Sequence, residues 1–171
     1  MSRVGIYGGS FNPVHHGHLA LAEYALSELN LDKVYFVPAF QNPLKKSERA
    51  SPDDGVSRRI PALKKAIGRN PRFILSDIEL KRKGLSYTVD TLRAFKKKLG
   101  KSARLYFLAG ADQIRHFSRW KSKEEILKLC RFVIATRPGH SLKLRDGRFL
   151  WLPMPPVDIS STQIRQKKGL K

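Results

Sequence analysis

Two histidines, His15 and His18, follow a glycine turn near the start of the chain and lie three residues apart. The stretch over residues 4–19 reads VGIYGGSFNPVHHGHL: an apolar run ending in Gly8-Gly9, a short turn, and the start of an apolar-periodic segment. This order predicts a strand, a turn and a helix whose N-terminus directs backbone N–H groups and the positive end of its dipole at one point. Such a helix start can bind phosphate, and two imidazoles beside it add donors where negative charge develops.

The glycine turn narrows the class of phosphate site. Gly8 and Gly9 permit close approach of the backbone to a ligand and the positive φ angles that other residues avoid. No GKS or GKT follows, so the stretch is not a P-loop, and GxGxxG spacing is absent. The histidines could instead bind a metal ion or pack in the interior, but two ligands with no nearby cysteine or carboxylate leave a metal shell incomplete. Phosphate donation is the role that we favour for His15 and His18.

A second helix start is predicted in ISSTQIR, residues 159–165. Ser160, Ser161 and Thr162 are residue types that cap helix N-termini, and Arg165 lies about one turn further on. An ordinary capped surface helix explains this motif equally well when it is taken alone. Two helix starts of this kind, one near each end of the chain, would hold a polyphosphate between them.

A third motif, LAGADQIRHFSRW at residues 108–120, places Gly110 and Asp112 at the end of an apolar run. A carboxylate beyond a strand end can accept hydrogen bonds from ribose hydroxyls or from a ring N–H. Trp120 offers a flat face to a heteroaromatic ring, although a half-buried core tryptophan is nearly as good an interpretation. Trp151 lies inside an apolar strand pattern and is expected in the core.

Two weaker signals concern the middle of the chain. In GLSYTVDT, residues 84–91, Thr88 lies near a predicted helix start with backbone groups available to a ligand. NPLKK, residues 42–46, and Arg59 place cations beside the polar segment 39–57, whose length favours a mobile loop near the site. Surface charge explains either signal equally well.

Short apolar segments alternate with amphipathic ones, and this order predicts the elements that position the motifs. Strands are predicted at 4–7, 34–37, 73–75, 105–108, 132–135 and 149–152. Helices are predicted at 17–29, 57–68, 88–99 and 122–130, with Gly100 as a C-cap. The strands are apolar throughout, as in sheets buried on both faces. We therefore expect an α/β fold with a doubly wound, mostly parallel Rossmann-like sheet, helices on both faces, a single domain over residues 1–171, and the site at the carboxyl ends of the strands.

The composition is that of a globular protein with a strong basic excess. Lys and Arg number 34 against 14 Asp and Glu, a net charge of +20, which favours acidic partners such as nucleotides or nucleic acid. Residues 1–32 contain one basic residue, Arg3, so the excess lies later, much of it on predicted helix faces where solvated charge is the default. The single cysteine, Cys130, lies in an apolar stretch and is expected to be buried. No apolar run approaches the roughly 20 residues of a membrane span and no signal peptide is recognisable, so a cytoplasmic protein is expected.

GGSFNPVHHGHL and ISSTQIR together resemble the motifs of the nucleotidyltransferase superfamily with HxGH and SSTxIR-type motifs. The pieces between them make the chain similar to bacterial nicotinate-nucleotide adenylyltransferases. In order, these pieces are VPAFQNPLKK, NPRFILSDIEL, SYTVDTL, LAGADQIRHFSRW and FVIATRPG. The similarity covers nearly the whole chain, and the two end motifs are specific as a pair. It implies transfer of the adenylyl group of ATP to the 5′-phosphate of nicotinate mononucleotide, by direct in-line attack without a covalent intermediate, giving deamido-NAD for NAD biosynthesis.

The resemblance also implies roles for individual residues. The catalytic set would be His15, His18 and Arg165. ATP would contact Gly8, Gly9, Ser10, Phe11, His15, His18, Ser160, Ser161, Thr162 and Arg165. The pyridine nucleotide would contact Gly9, Ser10, Lys45, Tyr87, Thr88, Gly110, Asp112, Trp120 and Arg137. Mg²⁺ would accompany ATP, with no metal ligand from protein side chains.

Three departures from the family pattern are visible. Asn12 stands where many members carry Asp, Leu44 precedes Lys45 where a His is frequent, and the tail at 166–171 is shorter than usual.

Two rival functions remain: a related adenylyltransferase acting on nicotinamide mononucleotide or another small acceptor, and, more distantly, a basic nucleic-acid-binding protein. SYTVDT and GAD…W argue against phosphopantetheine as the acceptor, and no RRM, KH or basic-zipper signature is present. We therefore expect ATP and nicotinate mononucleotide as partners and neither nucleic acid nor membrane; a homo-oligomer is compatible with the sequence.

Overall fold

The apolar segments of the chain form six parallel strands in one sheet. The computed structural model describes residues 1–44, 55–136 and 147–155. The strands are β1 (Arg3–Gly9), β2 (Lys33–Pro38), β3 (Phe73–Leu75), β4 (Arg104–Gly110), β5 (Arg131–Thr136) and β6 (Phe149–Pro153). Their order across the sheet is β3-β2-β1-β4-β5-β6, and each neighbouring pair is parallel. The predicted parallel α/β sheet is thereby confirmed.

The helices connect successive strands. They are α1 (His16–Glu28), α2 (Val56–Ile67), α3 (Ile78–Arg82), α4 (Thr88–Leu99), α5 (Ala111–Ile114) and α6 (Lys123–Leu129), with a short 3₁₀ turn at Phe117–Arg119. α4 has the predicted bounds and ends at Gly100, whose φ of 83° suits glycine. α3, α5 and the 3₁₀ turn were not predicted, because three to five residues are too few to show a helical period.

A separate apolar core lies on each face of the sheet. On one face, Leu26 of α1 and Leu63 of α2 belong to the cluster around Phe36. On the other, Phe95 of α4 and Ile126 of α6 belong to the cluster around Phe132. This two-sided burial explains why the strands read as apolar throughout, and it makes the sheet doubly wound.

Residues near the sheet edge show where the core ends. Cys130 is buried, as predicted, at 9% exposure. Trp151 was expected in the core, but it is only partly buried and packs against the edge of the core. The reason is that β6 is the outermost strand of the sheet and pairs on one side with β5.

The strand order also locates a crevice. β1 lies between β2 and β4, so successive connections leave the sheet in opposite directions at β1 and β4. In such sheets the crevice outside the carboxyl ends of the two strands is where ligands bind.

Across the described part of the chain, helices are too short or too polar to span a lipid bilayer.

Candidate active site

A cavity of about 650 Å³ opens at the carboxyl ends of β1 and β4, the edge at which the sequence predicted the site. Its walls come from the turn between β1 and α1, the segment after β2, the start of α4, and the segment from β4 through the 3₁₀ turn. The predicted site residues that line it are Gly8, Gly9, Ser10, Phe11, His15, His18, Tyr87, Thr88, Gly110, Asp112 and Trp120. The fold therefore brings together three motifs that are separated by up to about a hundred residues in the sequence.

His15 and His18 cap α1 with their own side chains. Nδ1 of His15 accepts the N–H of Gly17 at 3.0 Å, and Nδ1 of His18 accepts the N–H of His15 at 3.1 Å. The two rings stack with centroids 3.8 Å apart, and the Phe11 ring packs edge-on against His18 at 5.0 Å. The arrangement is a reciprocal capping box built from two imidazoles, and it holds both rings in place.

The bonds at Nδ1 define the tautomer of both rings. A ring nitrogen that accepts an N–H bond carries no proton, so the proton of each neutral imidazole is on Nε2. Both rings can therefore donate from Nε2 without uncapping the helix. The expectation that bare backbone N–H groups face the ligand is wrong for His15 and Gly17, because the imidazoles already accept from these two groups.

Gly8 and Gly9 matter for the space that their missing side chains leave, and not for their φ angles. Both glycines belong to β1, and neither has the positive φ that was expected. In the turn that follows β1, the residue in the left-handed region is Phe11, with φ of 47°. The Phe11 ring is buried and packs edge-on against Tyr7 at 5.3 Å, which offsets its unfavourable backbone. A Cβ at Gly8 would lie 3.3 Å from the Phe107 ring, so a small residue is needed there.

Arg59 joins the ends of β1 and β2 behind the turn. This α2 side chain is 7% exposed, and its Nη1 donates to the Ser10 carbonyl at 2.8 Å while Nη2 donates to the Ala39 carbonyl. The sequence marked Arg59 only as a cation near a polar loop. Arg59 is instead an internal tie: its two charge-assisted hydrogen bonds connect the chain after β1 to the chain after β2, and this sets the separation of two cavity walls.

Another part of the cavity wall, around Trp120, is aromatic. Trp120 packs against Phe107 and Phe117, with ring centroids 5.9 Å and 5.6 Å apart. Its Nε1 atom is buried and has no hydrogen-bond partner within residues 1–44, 55–136 and 147–155. A buried donor left without a partner is uncommon, and its place in a cavity wall suits a ligand acceptor.

Gly110 and Asp112 form the turn from β4 into α5. A Cβ at Gly110 would lie 2.6 Å from Oδ1 of Asp112, so any other residue there would displace this carboxylate from its position. The Asp112 side chain is exposed, and its Oδ2 accepts from Nε2 of Gln113 at 3.0 Å. The carboxylate is thus held at the cavity rim, in the place predicted for a ribose contact.

Glu79 is a buried carboxylate in the cavity wall. It is 6% exposed, and its Oε1 accepts from Oγ1 of Thr91 at 2.5 Å. Burial raises the pKa of Glu79, while hydrogen bonds from the Thr91 and Ser86 side chains and the charges of Arg82 and Arg59 act to lower it. The carboxyl group is therefore surrounded by compensating partners.

Lys121 and Glu79 are among the cavity residues that were given no role from the sequence. Nζ of Lys121 lies 4.5 Å from the centre of the Tyr87 ring and 3.6 Å from Oδ2 of Asp90. Lys121 directly follows Trp120, so adjacency to a predicted ligand contact was a usable signal. Glu79 lies in the NPRFILSDIEL piece of the resemblance, but no spacing there indicates a buried site residue.

Six predicted site residues lie outside the described residues: Lys45, Arg137, Ser160, Ser161, Thr162 and Arg165. The same holds for the helix start predicted at 159–165, the tail at 166–171 and residues 45–54 of the predicted mobile loop. Their contributions to the site remain predictions.

Comparison with known proteins agrees with this geometry. The model of the cytidylyltransferase-like family matches residues 6–167. A probable nicotinate-nucleotide adenylyltransferase of Thermoanaerobacter sp. is 41% identical over 176 residues, covering 96% of this chain and 82% of that protein. One from Aquifex aeolicus is 42% identical over 141 residues, covering 82% and 81%.

A solved structure shares the fold. The nicotinic acid mononucleotide adenylyltransferase of Plasmodium falciparum complexed with NaAD superposes with a TM-score of 0.72 at 19% identity, covering 97% of this chain and 83% of that one. This likeness shows the shared fold. The family match over residues 6–167 and the 41% identity to a relative show that the chain belongs to the cytidylyltransferase-like family, within its nicotinate-nucleotide adenylyltransferase branch.

Proposed function

We propose that this chain transfers the adenylyl group of ATP to the 5′-phosphate of nicotinate mononucleotide, giving deamido-NAD and pyrophosphate. The observation that carries the proposal is a single cavity lined by an imidazole-capped helix start and by a partly buried tryptophan that packs against other aromatic rings. A nucleotide presents both a phosphate group and a heteroaromatic ring, and a volume of about 650 Å³ is ordinary for a small-molecule site. The names of the sequence relatives describe the same activity.

The reaction balances without a covalent enzyme intermediate. An oxygen of the mononucleotide 5′-phosphate attacks the α-phosphorus of ATP, the new P–O bond forms the dinucleotide, and the bond to the β-phosphate oxygen breaks in line to release pyrophosphate. The attacking oxygen is already ionised near neutral pH, since the second pKa of a phosphate monoester is about 6. The protein therefore needs to position two anions and stabilise charge rather than remove a proton.

His15 and His18 supply that stabilisation in the proposal. Their Nε2–H groups donate to the ATP phosphates, with His18 at the transferred α-phosphate, and the dipole of α1 adds favourable potential. Gly8, Gly9, Ser10 and Phe11 line the turn on which both substrates meet. Ser160, Ser161, Thr162 and Arg165 would hold ATP from the other side.

The aromatic wall is assigned to the acceptor. Trp120 stacks on the pyridine ring, with Gly110 and Asp112 beside the nucleotide and Tyr87 and Thr88 at the start of α4. Lys45 and Arg137 are further predicted contacts for this nucleotide. The basic chain as a whole favours two anionic substrates.

Mg²⁺ is proposed to enter on the triphosphate. Within the described residues no three His, Cys, Asp or Glu side chains cluster as a metal site. The donor set lining the cavity near β1, imidazole and backbone N–H, suits phosphate oxygens better than a hard cation. The ion would neutralise charge on the phosphates, and the chain would bind the complex.

A pyrophosphate-release assay tests the function. Purified protein is given ATP and Mg²⁺ with nicotinate mononucleotide, nicotinamide mononucleotide or phosphopantetheine in turn. We expect the highest kcat/KM with nicotinate mononucleotide and formation of deamido-NAD in equal amount to pyrophosphate.

Each other outcome identifies a different function. Preference for nicotinamide mononucleotide or phosphopantetheine would assign the neighbouring activity within the superfamily. Absence of pyrophosphate release with all three acceptors would contradict the proposal, and tight, steeply salt-dependent RNA binding in that case would favour the nucleic-acid-binding alternative.

A further inference from the structure

Glu79 is a buried carboxyl group that the proposed reaction does not use. It lies on α3, a five-residue helix between β3 and α4, and is 6% exposed. Desolvating a carboxylate costs several kcal/mol even when partners compensate, and buried ion pairs are a weak source of stability. Because the attacking phosphate needs no general base, a catalytic proton transfer does not account for Glu79 either.

Glu79 interacts with residues on either side of a short cavity-wall segment in the sequence. Thr91, in the first turns of α4, donates to its Oε1 at 2.5 Å, and the nearby Ser86 hydroxyl acts to lower the pKa of the same carboxyl group. Tyr87 and Thr88, which line the cavity, lie between these two residues in the sequence. One carboxyl group therefore interacts with a residue on each side of the segment that carries two predicted contacts of the pyridine nucleotide.

A second layer of bonds fixes these partners. Nη2 of Arg82 donates to Oγ1 of Thr91 at 3.2 Å, which leaves the hydroxyl proton of Thr91 for Glu79. Arg82 thus orients Thr91 and supplies a compensating charge at the same time.

The chain of bonds continues to the end of β2. Oγ of Ser86 accepts the N–H of Phe40 at 2.9 Å, and the N–H of Ser86 donates to the Gln41 carbonyl at 2.9 Å. Gln41 also forms an isolated parallel bridge with Leu85. The start of α4 is thereby attached to the segment after β2, across a gap of more than forty residues of sequence.

We infer that Glu79 is a positioning residue for the acceptor: through Ser86 and Thr91 it holds residues 85–88 against the end of β2, in the shape that receives the pyridine nucleotide. The inference rests on the proposed function, since it assigns residues 85–88 to that substrate. Glu79 itself is not expected to touch the transferred phosphate, so its effect should fall on one substrate and not on the other.

The test compares Glu79→Gln, Ser86→Ala and the double variant with the unchanged protein. Gln has the shape of Glu but carries no charge and accepts through one oxygen only. We expect each single variant to raise KM for nicotinate mononucleotide about tenfold, while KM for ATP and kcat change by less than about twofold. Because both residues act through the same segment, the double variant should be little worse than either single one.

Glu125→Gln is the matched control. Glu125 is a more exposed carboxylate on α6 that pairs with Arg93 and does not line the cavity. The control makes the same chemical change and should leave both KM values and kcat as they are. A merely structural role for Glu79 would instead lower the active fraction and thus kcat, and leave both KM values in the surviving enzyme unchanged.

Amide hydrogen exchange provides a readout that does not depend on activity. Exchange at the N–H groups of Phe40 and Ser86 should speed up in Glu79→Gln, whereas the N–H of Met154, bonded to the Thr136 carbonyl at 2.9 Å, should keep its rate. If Glu79→Gln does not fold, Ser86→Ala and Thr91→Val carry the same comparison, since each removes one of the two hydroxyl groups that interact with the carboxyl group.

The outcomes separate this inference from the function it rests on. Equal KM increases for both substrates, an unchanged acceptor KM in folded variants, or additive effects in the double variant would overturn the positioning role. If the unchanged protein releases no pyrophosphate with nicotinate mononucleotide, the proposed function fails. Hydrogen exchange then tests Glu79 alone: unaltered exchange at Phe40 and Ser86 in Glu79→Gln would show that Glu79 does not hold this segment.

Discussion

At the scale of single residues, the site depends on side chains that each make two kinds of contact. His15 and His18 use Nδ1 to cap α1, and this leaves Nε2 as the position of the proton in each neutral ring. An alanine at either position would remove a phosphate donor and a helix cap together. The two effects can be separated, because a lost cap costs about 1 kcal/mol of stability and a lost transition-state donor costs rate.

Replacement of His18 by alanine is the most direct test at this scale. We expect His18→Ala to remain folded, with a loss of kcat of about a hundredfold or more, since removing one preorganised donor costs roughly 3 kcal/mol of transition-state stabilisation. Steady-state kinetics and circular dichroism measure the two effects. His16→Ala is the control, because His16 is exposed on the same turn and does not line the cavity. A folded His18→Ala variant with near-normal turnover would contradict the assigned role.

At the scale of elements, the cavity keeps its shape because helices are tied to strand ends. Arg59 of α2 bonds to carbonyl groups beyond β1 and β2, and Glu79 of α3 holds the start of α4. Both side chains are buried and ionisable, and their hydrogen bonds give each tie a defined direction. Apolar packing of α2 and α4 against the sheet would not by itself set the width of the crevice.

Arg59→Met tests the first of these ties. Methionine retains much of the apolar stem of arginine but leaves the Ser10 and Ala39 carbonyl groups without their donor, so we expect a loss of about 2 to 4 kcal/mol in the free energy of unfolding. Urea titration followed by tryptophan fluorescence measures it. Arg58→Met on the exposed side of the same helix should change stability by less than about 0.5 kcal/mol. Similar losses in the two variants would show that Arg59 is not a tie.

At the scale of the whole molecule, the unequal distribution of charge is the main feature. The net charge is +20, yet residues 1–32, which include the histidine pair, contain only one basic side chain. The excess therefore lies in segments other than the one that carries the histidine pair, and Arg115, Arg119 and Lys121 bring part of it to the cavity lining. A positive field of this kind raises the local concentration of anionic substrates without binding them at defined positions.

Salt is the probe for that field. Between roughly 50 mM and 500 mM KCl, we expect kcat/KM to fall about threefold to tenfold while kcat stays nearly constant, because screening weakens long-range attraction more than short contacts. Steady-state kinetics at fixed Mg²⁺ measures the effect, and an uncharged osmolyte at equal osmolarity is the control. A flat profile would mean that the excess charge plays no part in substrate capture.

Particular elements show how much of the fold was accessible from the sequence. β3 and α4 were predicted with their observed bounds, and the other strands were found within two residues, because apolar runs and amphipathic periods are local properties. α3 was missed, and with it Glu79, because a five-residue helix has no period to detect. Positive φ was predicted for Gly8 and Gly9 but occurs at Phe11, whose buried ring stabilises the unfavourable backbone.

By itself, the sequence determined the order of the six strands and of the four longer helix segments, the burial of Cys130 and three of the motifs that line the cavity, since these follow from residue type and spacing along the chain. Only the tertiary structure decided that two imidazoles cap α1 through Nδ1, that Arg59 is internal, and that Glu79 binds both sides of the segment before and within α4. The physical reason is that burial and hydrogen-bond partners depend on which distant segments the sheet brings side by side. A buried charge and a solvated one look the same in a sequence.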